Sequence, residues 1–329
     1  MSKKATITGL GKYVPPGILT NSDLEEMVDT SDEWITTRTG IKRRHIAEDD
    51  VATSELAIEA AEQAIDDAGI SASDLDLILV ATITPDMIFP ATACLLQDRL
   101  GADNSAAFDL EAGCSGFVYG LSVAAQFIET GMYENVLVIG AETLSKITDW
   151  EDRSTCVLFG DGAGAAVLQP VENGGLLNFD LGSDGSGGDS LYIPGGGSLK
   201  PACSKSVEDK AHYIKMEGNE VFKFAVKKMS KASIDVLEKS GLSPEEVDLF
   251  IPHQANMRII KAAAKRLGVD DEVYVNLPEY GNTSAASVPL ALCEAREEGL
   301  VNNGDIIVLV AFGAGLTWAS TVIEWNEGE

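Results

Sequence analysis

The chain alternates between amphipathic segments with helical spacing and short, continuous apolar runs. Apolar residues recur three and four positions apart in ELAIEAAEQAIDDAG and in FKFAVKKMSKASIDVLEKSG, which predicts a helix in each segment. Each segment ends at a glycine, and a short loop then leads to an apolar run, LDLILVAT or VDLFIP. Continuous Val, Ile and Leu runs are typical of strands whose two faces are both covered by helices. The pattern therefore predicts an α/β protein.

The same pattern occurs twice along the chain. AGISASDLDLILVAT resembles SGLSPEEVDLFIPHQ at an offset of 172 residues. At an offset of 168, Gly113-Cys114-Ser115 aligns with Gly281-Asn282-Thr283, and each triplet precedes a helical stretch and a further apolar run. Two matches at nearly the same offset predict an internally duplicated fold. No long Ser/Pro-rich linker separates the copies, so we expect one compact core.

The charge balance and the cysteines exclude several classes of protein. The 329 residues contain 24 Lys and Arg against 52 Asp and Glu, a net charge of −28, which argues against a general nucleic-acid or anionic-membrane binder. Five cysteines without paired spacing indicate neither a disulfide framework nor a zinc site. The N-terminus lacks the apolar run of a signal peptide, and the apolar runs are too short to span a bilayer. We therefore expect a reduced, cytoplasmic protein.

Cys114 is the cysteine whose context suits a nucleophile. It lies in DLEAGCSGFVYGLSVAAQFIETG, after a strand-like run and before residues with helical spacing. The thiol is therefore predicted at a strand-to-helix turn, where the positive end of the helix dipole favours the thiolate. A free cysteine is also commonly a small buried hydrophobic residue. That second interpretation is our expectation for the other four: Cys94, Cys156, Cys203 and Cys293.

His253 and Asn282 lie at comparable turns. His253 follows the strand-like run VDLFI, at the strand end where α/β sheets place active-site groups. Asn282, in EYGNTSAASVPLAL, aligns with Cys114 in the second copy. Taken singly, a lone histidine is more often structural, and asparagine is a common N-cap residue. Taken together, a thiol, an imidazole and a carboxamide at equivalent turns predict one shared site.

Long motifs spread along the chain resemble one enzyme family. They are TNSDLEEMVDTSDEWITTRTGIKRRHI, AGCSGF, FGDGAGAAVL, PHQANMRII, GNTSAASVP and AFGAGLTWAS. Together they are similar to the condensing enzymes of the thiolase superfamily, most closely to 3-oxoacyl-acyl-carrier-protein synthase III. The resemblance implies a thiolase-like fold of two duplicated α/β halves in five layers, α-β-α-β-α. Residues 1–171 would form the half with the nucleophilic cysteine, and residues 172–329 the half with the histidine and the asparagine.

The resemblance also implies a reaction. It is the decarboxylative Claisen condensation of an acyl-CoA primer, acetyl-CoA first of all, with malonyl-carrier protein, which initiates fatty acid biosynthesis. Cys114 would carry the acyl group, and His253 and Asn282 would hydrogen-bond the malonyl thioester carbonyl. The backbone N–H groups of Cys114 and Ala314 match an oxyanion hole, for which alanine is acceptable if its φ is negative. No metal and no cofactor is implied, because both thioesters are substrates.

Further positions match the family's binding contacts. A coenzyme A site is implied at Trp34, Arg38, Thr39, Arg153, Asn219, Phe222 and Asn256, with Trp34 and Arg153 in the positions that sandwich the adenine. Phe89 matches a residue that reaches across a dimer interface to close the acyl pocket, which implies a homodimer.

The local charge differs from the total. Residues 215–266 contain ten Lys and Arg against seven Asp and Glu, beside a second basic cluster at Arg38, Lys42, Arg43 and Arg44. By resemblance, an acidic acyl carrier protein would bind at Lys223, Arg258, Lys265 and Arg266. For each lysine taken singly, the alternative interpretation is an ordinary solvent-exposed position on a helix.

Related enzymes and other functions fit less well. Thiolases need a second cysteine where this chain has AFGAG, and elongating synthases need a second histidine where Asn282 stands. Two alternatives stay open: a starter-selecting enzyme of a specialised or polyketide pathway, and a non-catalytic subunit that binds a carrier protein. The run GDGAGAA lacks the strand-turn-helix context of a dinucleotide loop. Residues 189–213, rich in Gly, Ser and Lys, are predicted as a mobile loop.

Overall fold

The computed structural model describes residues 3–326. Its strands are β1 (Lys4–Tyr13), β2 (Gly17–Thr20), β3 (Arg43–Ile46), β4 (Leu77–Ala81), β5 (Ala106–Leu110), β6 (Val136–Glu142), β7 (Gly162–Val171), β8 (Gly175–Ser183), β9 (Leu191–Tyr192), β10 (Lys215–Met216), β11 (Leu249–Pro252), β12 (Ile306–Gly313) and β13 (Thr317–Glu324). Its α-helices are α1 (Asn21–Met27), α2 (Asp32–Thr39), α3 (Thr53–Asp67), α4 (Thr92–Leu100), α5 (Gly116–Glu129), α6 (Arg153–Cys156), α7 (Ser204–Glu208), α8 (Gly218–Ser240), α9 (Met257–Leu267), α10 (Leu277–Tyr280) and α11 (Ser287–Glu297).

Two mixed sheets carry the duplication. The first has the order β1-β7-β6-β4-β5, and the second has the order β8-β13-β12-β11. In each sheet the central strand, β6 or β12, lies parallel to one neighbour and antiparallel to the other. The counterpart of β5 is reduced to a single bridge between Phe250 and Val273. The strands of the first sheet all lie within residues 4–171 and those of the second within 175–324. The boundary at residue 171 between complete halves stays a prediction.

Helices cover both faces of both sheets. On the outer face of the first sheet, α3 and α4 pack with fully buried residues such as Leu56 against Val80. Between the sheets, α5 and α11 form one apolar cluster that includes Phe117 and Leu292. On the outer face of the second sheet, α8 and α9 pack with residues such as Met229. Burying each such side chain stabilises the fold by roughly 1.5–3 kcal/mol. The predicted α-β-α-β-α arrangement is therefore confirmed.

The first repeat match is also visible in the backbone. Gly69 and Gly241 end α3 and α8 with φ values of 67° and 73°, in the left-handed region that favours glycine. An aspartate follows each glycine by seven residues. Asp76 accepts backbone N–H groups directly before β6, and Asp248 accepts the N–H of the first residue of β12. The loops that lead into β4 and β11 are therefore built alike.

The second match was wrong by three residues. The 3₁₀ turn Gly113–Ser115 precedes α5, and its counterpart before α11 is Ser284–Ala286. The first residues of these turns both have positive φ, 54° at Gly113 and 49° at Ser284. Ala285 is therefore the counterpart of Cys114. Asn282 lies two residues before this turn. Its Oδ1 accepts the N–H of Ser284 at 2.9 Å and closes the bend that precedes the turn.

Two loop predictions have different outcomes. Residues 189–213 contain β9, which pairs with β10, and the helix α7, with residues 193–203 between them in neither helix nor strand. The mobility of this segment stays a prediction. This segment is also held by the ion pair of Lys210 with Asp149, at 3.0 Å. The glycine-rich run that starts at Gly160 leads directly into β7, which pairs with β1 and β6. The run therefore lacks the strand-turn-helix context of a dinucleotide loop.

We predict that Gly140→Ala destabilises the protein through a clash between the halves. A Cβ atom at Gly140, in β6, would lie 2.3 Å from the carbonyl oxygen of Ala285 in the turn before α11. Overpacking of this kind costs about 1–3 kcal/mol of the free energy of unfolding, measured by urea denaturation. The matched control is Gly185→Ala, since a Cβ atom there meets nothing within 4 Å. Equal stability of the two variants would contradict the close packing of the halves.

Candidate active site

Two cavities meet at Cys114. The first, of about 410 Å³, is lined by Cys114, His253 and Asn282 together. The second, of about 580 Å³, lies on the other side of the thiol and is lined mainly by apolar side chains, among them Leu144 and Ile214. Cys114 belongs to both cavities, so a group bound in one is within reach of a group bound in the other. The structure thus brings together the three side chains that the sequence singled out.

The turn that carries Cys114 is enclosed from both halves. Cys114 is buried in the 3₁₀ turn directly before α5, the position predicted from the sequence. A Cβ atom on Gly313 would lie 2.4 Å from the nitrogen of Cys114, so the end of β12 lies against this turn. Burial raises the pKa of the Cys114 thiol to about 12. Burial thus favours the thiol and opposes the effect of the helix terminus, which favours the thiolate.

A buried carboxyl group lies near the thiol. Glu142, at the end of β6, is fully buried and accepts hydrogen bonds from Thr84 Oγ1 at 2.6 Å, Thr82 Oγ1 at 3.1 Å and the N–H of Ile83 at 3.1 Å. Burial raises its pKa to about 7, although these donors favour the carboxylate. The Ser284 hydroxyl lies close enough to Cys114 and Glu142 to lower the pKa of each, although it makes no hydrogen bond of normal geometry.

His253 is a neutral imidazole held from one side. Its Nδ1 lies 2.5 Å from the hydroxyl of Ser287, and that oxygen also accepts the N–H of Gln254 at 3.3 Å. We assign the ring proton to Nε2, with Nδ1 as the acceptor of the Ser287 proton, because the Ser287 oxygen already accepts the Gln254 N–H. Burial lowers the pKa of His253 to about 3. The buried Nε2 has no hydrogen-bond partner in the protein, and the residue lines the first cavity. His253 thus presents one unused N–H donor.

Asn282 presents a second donor. Its Oδ1 accepts the N–H of Ser284, which leaves the amide nitrogen available to the cavity that this residue lines. Its backbone is fixed on both sides, since its N–H donates to Leu158 at 2.9 Å and its carbonyl accepts from Gly160 at 3.0 Å. The carboxamide is therefore oriented before any ligand binds. Two neutral donors from different turns face one cavity.

The loop after β12 lies beside the thiol, as expected for Ala314. A Cβ atom on Gly113 would lie 2.8 Å from the nitrogen of Ala314, and Ala314 lines the second cavity. Among the described residues, positive φ outside glycine occurs at Lys210 and Ser284, so Ala314 is not in the left-handed region. The condition placed on an alanine at this position is met. Thr317 Oγ1 holds the loop by donating to the carbonyls of Ala112 and Ala314, at 2.8 and 3.0 Å.

Most of the predicted coenzyme A contacts line the first cavity. They are Trp34, Arg38, Thr39, Asn219, Phe222 and Asn256. Asn256 caps α9 and donates through Nδ2 to the carbonyl of Arg38 at 3.1 Å, which joins α2 to α9 at this cavity. The hydroxyl of Thr39 is already used within its own turn, where it donates to the carbonyl of Ile35 at 2.7 Å.

Arg153 is the predicted contact that does not line the cavity. Its guanidinium carbon lies 4.9 Å from the centre of the Trp34 ring, and Nη1 donates to the carbonyl of Asp29 at 2.8 Å. A purine between the two needs about twice the stacking distance of roughly 3.5 Å. The guanidinium must therefore move before a base can be sandwiched there.

Phe89 and the predicted carrier-protein contacts are on the surface. Phe89 is 82% exposed and does not line the second cavity of its own chain, whereas its neighbour Ile88 does. The four basic residues Lys223, Arg258, Lys265 and Arg266 are all exposed, the first on α8 and the others on α9. Arg258 also lines the first cavity and lies over the Phe222 ring at 5.1 Å. The basic surface therefore adjoins the mouth of this cavity.

Sequence reasoning missed the residues that hold the site in place. Neither Ser287 nor Glu142 was among the predicted site residues, although Ser287 lies inside the motif GNTSAASVP. A buried acidic residue at the end of an apolar strand was the available signal for Glu142. Within residues 3–326, no group of three or more His, Cys, Asp or Glu side chains is arranged to hold a metal ion. None of the described helices is long and apolar enough to cross a bilayer.

We predict that the His253 ring stays neutral, with its proton on Nε2, from about pH 8 to about pH 5. Because its pKa falls from 6.5 to about 3 on folding, unfolding takes up a proton between these values. The stability that this residue contributes is complete above the unfolded pKa and declines as the pH falls toward the folded one. Nitrogen NMR of the histidine rings measures both the charge and the tautomer.

The matched variant for this measurement is Ser287→Ala. It removes the hydroxyl that faces Nδ1, so we expect the single tautomer to be lost. His45 and His212 serve as internal references in the same spectra. A ring that keeps the Nε2–H tautomer in the variant would contradict the role assigned to Ser287.

Comparisons with known proteins agree along the whole chain. Residues 108–185 match the family described as 3-oxoacyl-[acyl-carrier-protein (ACP)] synthase III, and residues 237–325 match its C-terminal family. The beta-ketoacyl-[acyl-carrier-protein] synthase III of Caldanaerobacter subterraneus subsp. tengcongensis is 64% identical over 325 residues, which is 98% of each chain.

Solved structures show the same relationship. The 3-oxoacyl-[acyl-carrier-protein] synthase III from Aquifex aeolicus VF5 is 50% identical, with a TM-score of 0.91 over 98% of this chain and 100% of that one. The priming beta-ketosynthase of the R1128 polyketide biosynthetic pathway is 37% identical, with a TM-score of 0.92 over 99% of this chain and 98% of that one. The chain belongs to the 3-oxoacyl-acyl-carrier-protein synthase III family of condensing enzymes.

Proposed function

We propose that this protein condenses an acyl-CoA primer with malonyl-acyl carrier protein, giving 3-oxoacyl-carrier protein, CoA and CO₂, and so initiates fatty acid biosynthesis. The observation that carries the proposal is the single cavity lined by the Cys114 thiol together with the His253 and Asn282 donors. A thiol supplies a nucleophile, and two neutral donors supply a site for a developing oxyanion. This combination suits a two-step acyl transfer followed by decarboxylation.

The first step transfers the acyl group to the protein. The sulfur of Cys114 attacks the thioester carbonyl carbon of the acyl-CoA, and the bond from that carbon to the CoA sulfur breaks. The proton that leaves Cys114 ends on the departing CoA sulfur, so the step has no net change in protonation. Backbone N–H groups of Cys114 and Ala314 are our proposed donors to the oxyanion. Acceptance and release of the acyl group by a thiol divides one difficult transfer into two.

The second step forms the carbon–carbon bond. The malonyl thioester carbonyl accepts hydrogen bonds from His253 Nε2 and from the Asn282 amide. Loss of CO₂ leaves an enolate, whose carbon attacks the acyl carbonyl and displaces Cys114 as a thiolate. The thiolate takes up one proton from solvent, which restores the thiol. Neutral donors stabilise the enolate oxygen without delivering a full proton, and loss of one such donor typically costs about 3–4 kcal/mol of transition-state stabilisation. The lowered pKa of His253 keeps the imidazole in this neutral form.

The charge distribution supports a carrier protein as partner. Lys223, Arg258, Lys265 and Arg266 are exposed on α8 and α9, and Arg258 also lines the first cavity, in a chain whose net charge is −28. An acidic carrier protein would be repelled by most of this surface and attracted to this basic surface. We propose that it binds there and delivers the malonyl group toward Asn282.

Exposed apolar residues support a homodimer. Ile88 and Phe89 are 83% and 82% exposed, and Phe108 is exposed on β5, the edge strand of the first sheet. An uncovered apolar edge strand favours pairing with a second copy. We propose that Phe89 enters the acyl cavity of the partner subunit across this interface.

The proposed chemistry uses side chains and backbone amides alone, so we propose that no cofactor takes part. Its substrates, an acyl-CoA and a carrier protein, lead us to propose a cytoplasmic location. The 37% identity with a priming ketosynthase of a polyketide pathway keeps a starter-selecting role as the second candidate. A series of primers of increasing length separates the two, since preference for acetyl-CoA favours the first and preference for longer primers the second.

We predict that Cys114→Ser abolishes primer loading. A hydroxyl without a neighbouring base is a far weaker nucleophile, so acylation is expected to fall by at least about a hundredfold. Intact-mass measurement of the protein after incubation with acetyl-CoA detects the acyl adduct. The control is Cys94→Ser, at an exposed thiol outside both cavities. Loading of the Cys114 variant at the unchanged rate would refute the proposed nucleophile and, with it, the proposed function.

We predict that Lys265→Gln weakens use of carrier-linked malonate. Loss of one exposed charge is expected to raise KM for malonyl-carrier protein several-fold at low salt, with a smaller effect at high salt because exposed charges are screened. The matched control is Lys205→Gln on α7, which removes an exposed charge outside the proposed docking surface. Equal KM values for the two variants at low salt would contradict docking at α9.

A further inference from the structure

The two cavities that meet at Cys114 carry charges of opposite sign. The first cavity is lined by the cationic side chains Arg38 and Arg258 and by no carboxylate. The second is lined by the carboxylates Asp109 and Glu111 and by no cationic side chain. The nucleophile therefore lies at a boundary between a positive and a negative compartment. A ligand group that carries a negative charge is favoured on one side of the thiol and opposed on the other.

Glu111 is held close to the nucleophile. Its Oε1 accepts the N–H of Gly113, the residue before Cys114, at 3.3 Å. Asp109 is fixed further along the same segment, since its two carboxylate oxygens accept the N–H groups of Thr92 and Ala93 at 2.7 and 2.8 Å. Neither carboxylate forms an ion pair in the described structure. Glu111 is exposed and Asp109 is half-buried, so solvent screens part of each charge.

Nearby cations are engaged elsewhere, and the second cavity has one neutral polar group near Cys114. Lys215, which follows Ile214 of the cavity wall, lies 4.0 Å from Asp149, and Lys210 pairs with the same carboxylate at 3.0 Å. The Ser284 hydroxyl also lines this cavity, is 99% buried and has no hydrogen-bond partner of normal geometry. The cavity therefore offers a ligand one neutral polar group and two negative charges beside an apolar wall.

We propose that the second cavity accepts only uncharged acyl groups and that Glu111, supported by Asp109, rejects primers that end in a carboxylate. This inference rests on the proposed function, because it concerns which acyl-CoA loads Cys114. In the loading step the Cys114–acyl bond forms, the acyl–CoA bond breaks, and the proton of Cys114 passes to the CoA sulfur. The acyl group then enters the second cavity. A terminal carboxylate placed there lies in a cavity whose lining includes the exposed Glu111 and the half-buried Asp109.

This selection separates the two substrates of the reaction. The primer is a neutral acyl group, whereas the extender carries the malonyl carboxylate. A malonyl group loaded on Cys114 would block the nucleophile with the wrong substrate. The positive first cavity attracts the anionic thioesters, and the negative second cavity keeps their carboxylate away from the position of the primer. Specificity is thus gained by opposing the wrong group as well as by binding the right one.

The experiment compares two primers of equal length. Butyryl-CoA and succinyl-CoA both present four-carbon acyl groups, one ending in a methyl group and the other in a carboxylate. The rate of acyl-adduct formation is followed by intact mass for wild type, Glu111→Gln and the double variant Glu111→Gln with Asp109→Asn. The matched control is Glu62→Gln, which removes an exposed carboxylate of α3 outside both cavities. The measured quantity is the ratio of the butyryl to the succinyl rate.

Wild type is expected to favour butyryl strongly. In Glu111→Gln the ratio is expected to fall by about three- to tenfold, and further in the double variant, because a unit charge within several ångströms acts with roughly that strength near a surface. The ratio in Glu62→Gln is expected to match wild type. Since each protein is its own reference, partial misfolding changes both rates and not the ratio. A wild-type ratio near one, or a ratio unchanged in both variants, would overturn the inference. Failure of every acyl-CoA to load would instead overturn the proposed function.

Discussion

The close packing of two turns, one from each half of the fold, is the constraint on which the site depends. The turn that carries Cys114 lies against the end of β12, and the matching turn before α11 lies against β6 at Gly140. Each half therefore packs against the turn that carries, or directly follows, a site residue of the other half. Glycine is required where a Cβ atom would meet backbone at about 2.3 Å. Without this contact, Cys114 and Asn282 would belong to two separate surfaces.

Burial at this interface sets the protonation of the site. It raises the pKa of Cys114 and of Glu142 and lowers that of His253, so each group is shifted toward its neutral form. A neutral imidazole donates a hydrogen bond without transferring a full proton, which suits an enolate. The same burial makes a free thiolate costly, so the thiol has to lose its proton as it reacts. Burial thus favours the condensation step, which needs neutral donors, and disfavours the acylation step, which needs a deprotonated sulfur.

Much of the fold and part of the site were predictable from sequence, and the rest depends on contacts between distant residues. Apolar periodicity predicted the helices and strands because both reflect local spacing, and the duplicated fold followed from repeated motifs. The alignment of Asn282 with Cys114 failed because a glycine precedes each of them, although Gly281 belongs to the bend before the turn and not to the turn itself. The neutral state of His253 and the partnership with Ser287 were not predictable, since both arise from packing between α11 and the end of β11. The opposed charges of the two cavities likewise required the tertiary structure.

The stacking of Arg153 on Trp34 has a consequence for the turnover of CoA. The Asp29 carbonyl holds the guanidinium over the ring, in the position that the proposed site assigns to the base. In the proposed coenzyme A site, an adenine would displace the guanidinium, which would return to the ring once the CoA product had left. The loss of the contact between Arg153 and Trp34 would therefore offset part of the affinity for the adenine. Such an exchange would weaken the hold on spent CoA and so favour its release before the carrier protein binds.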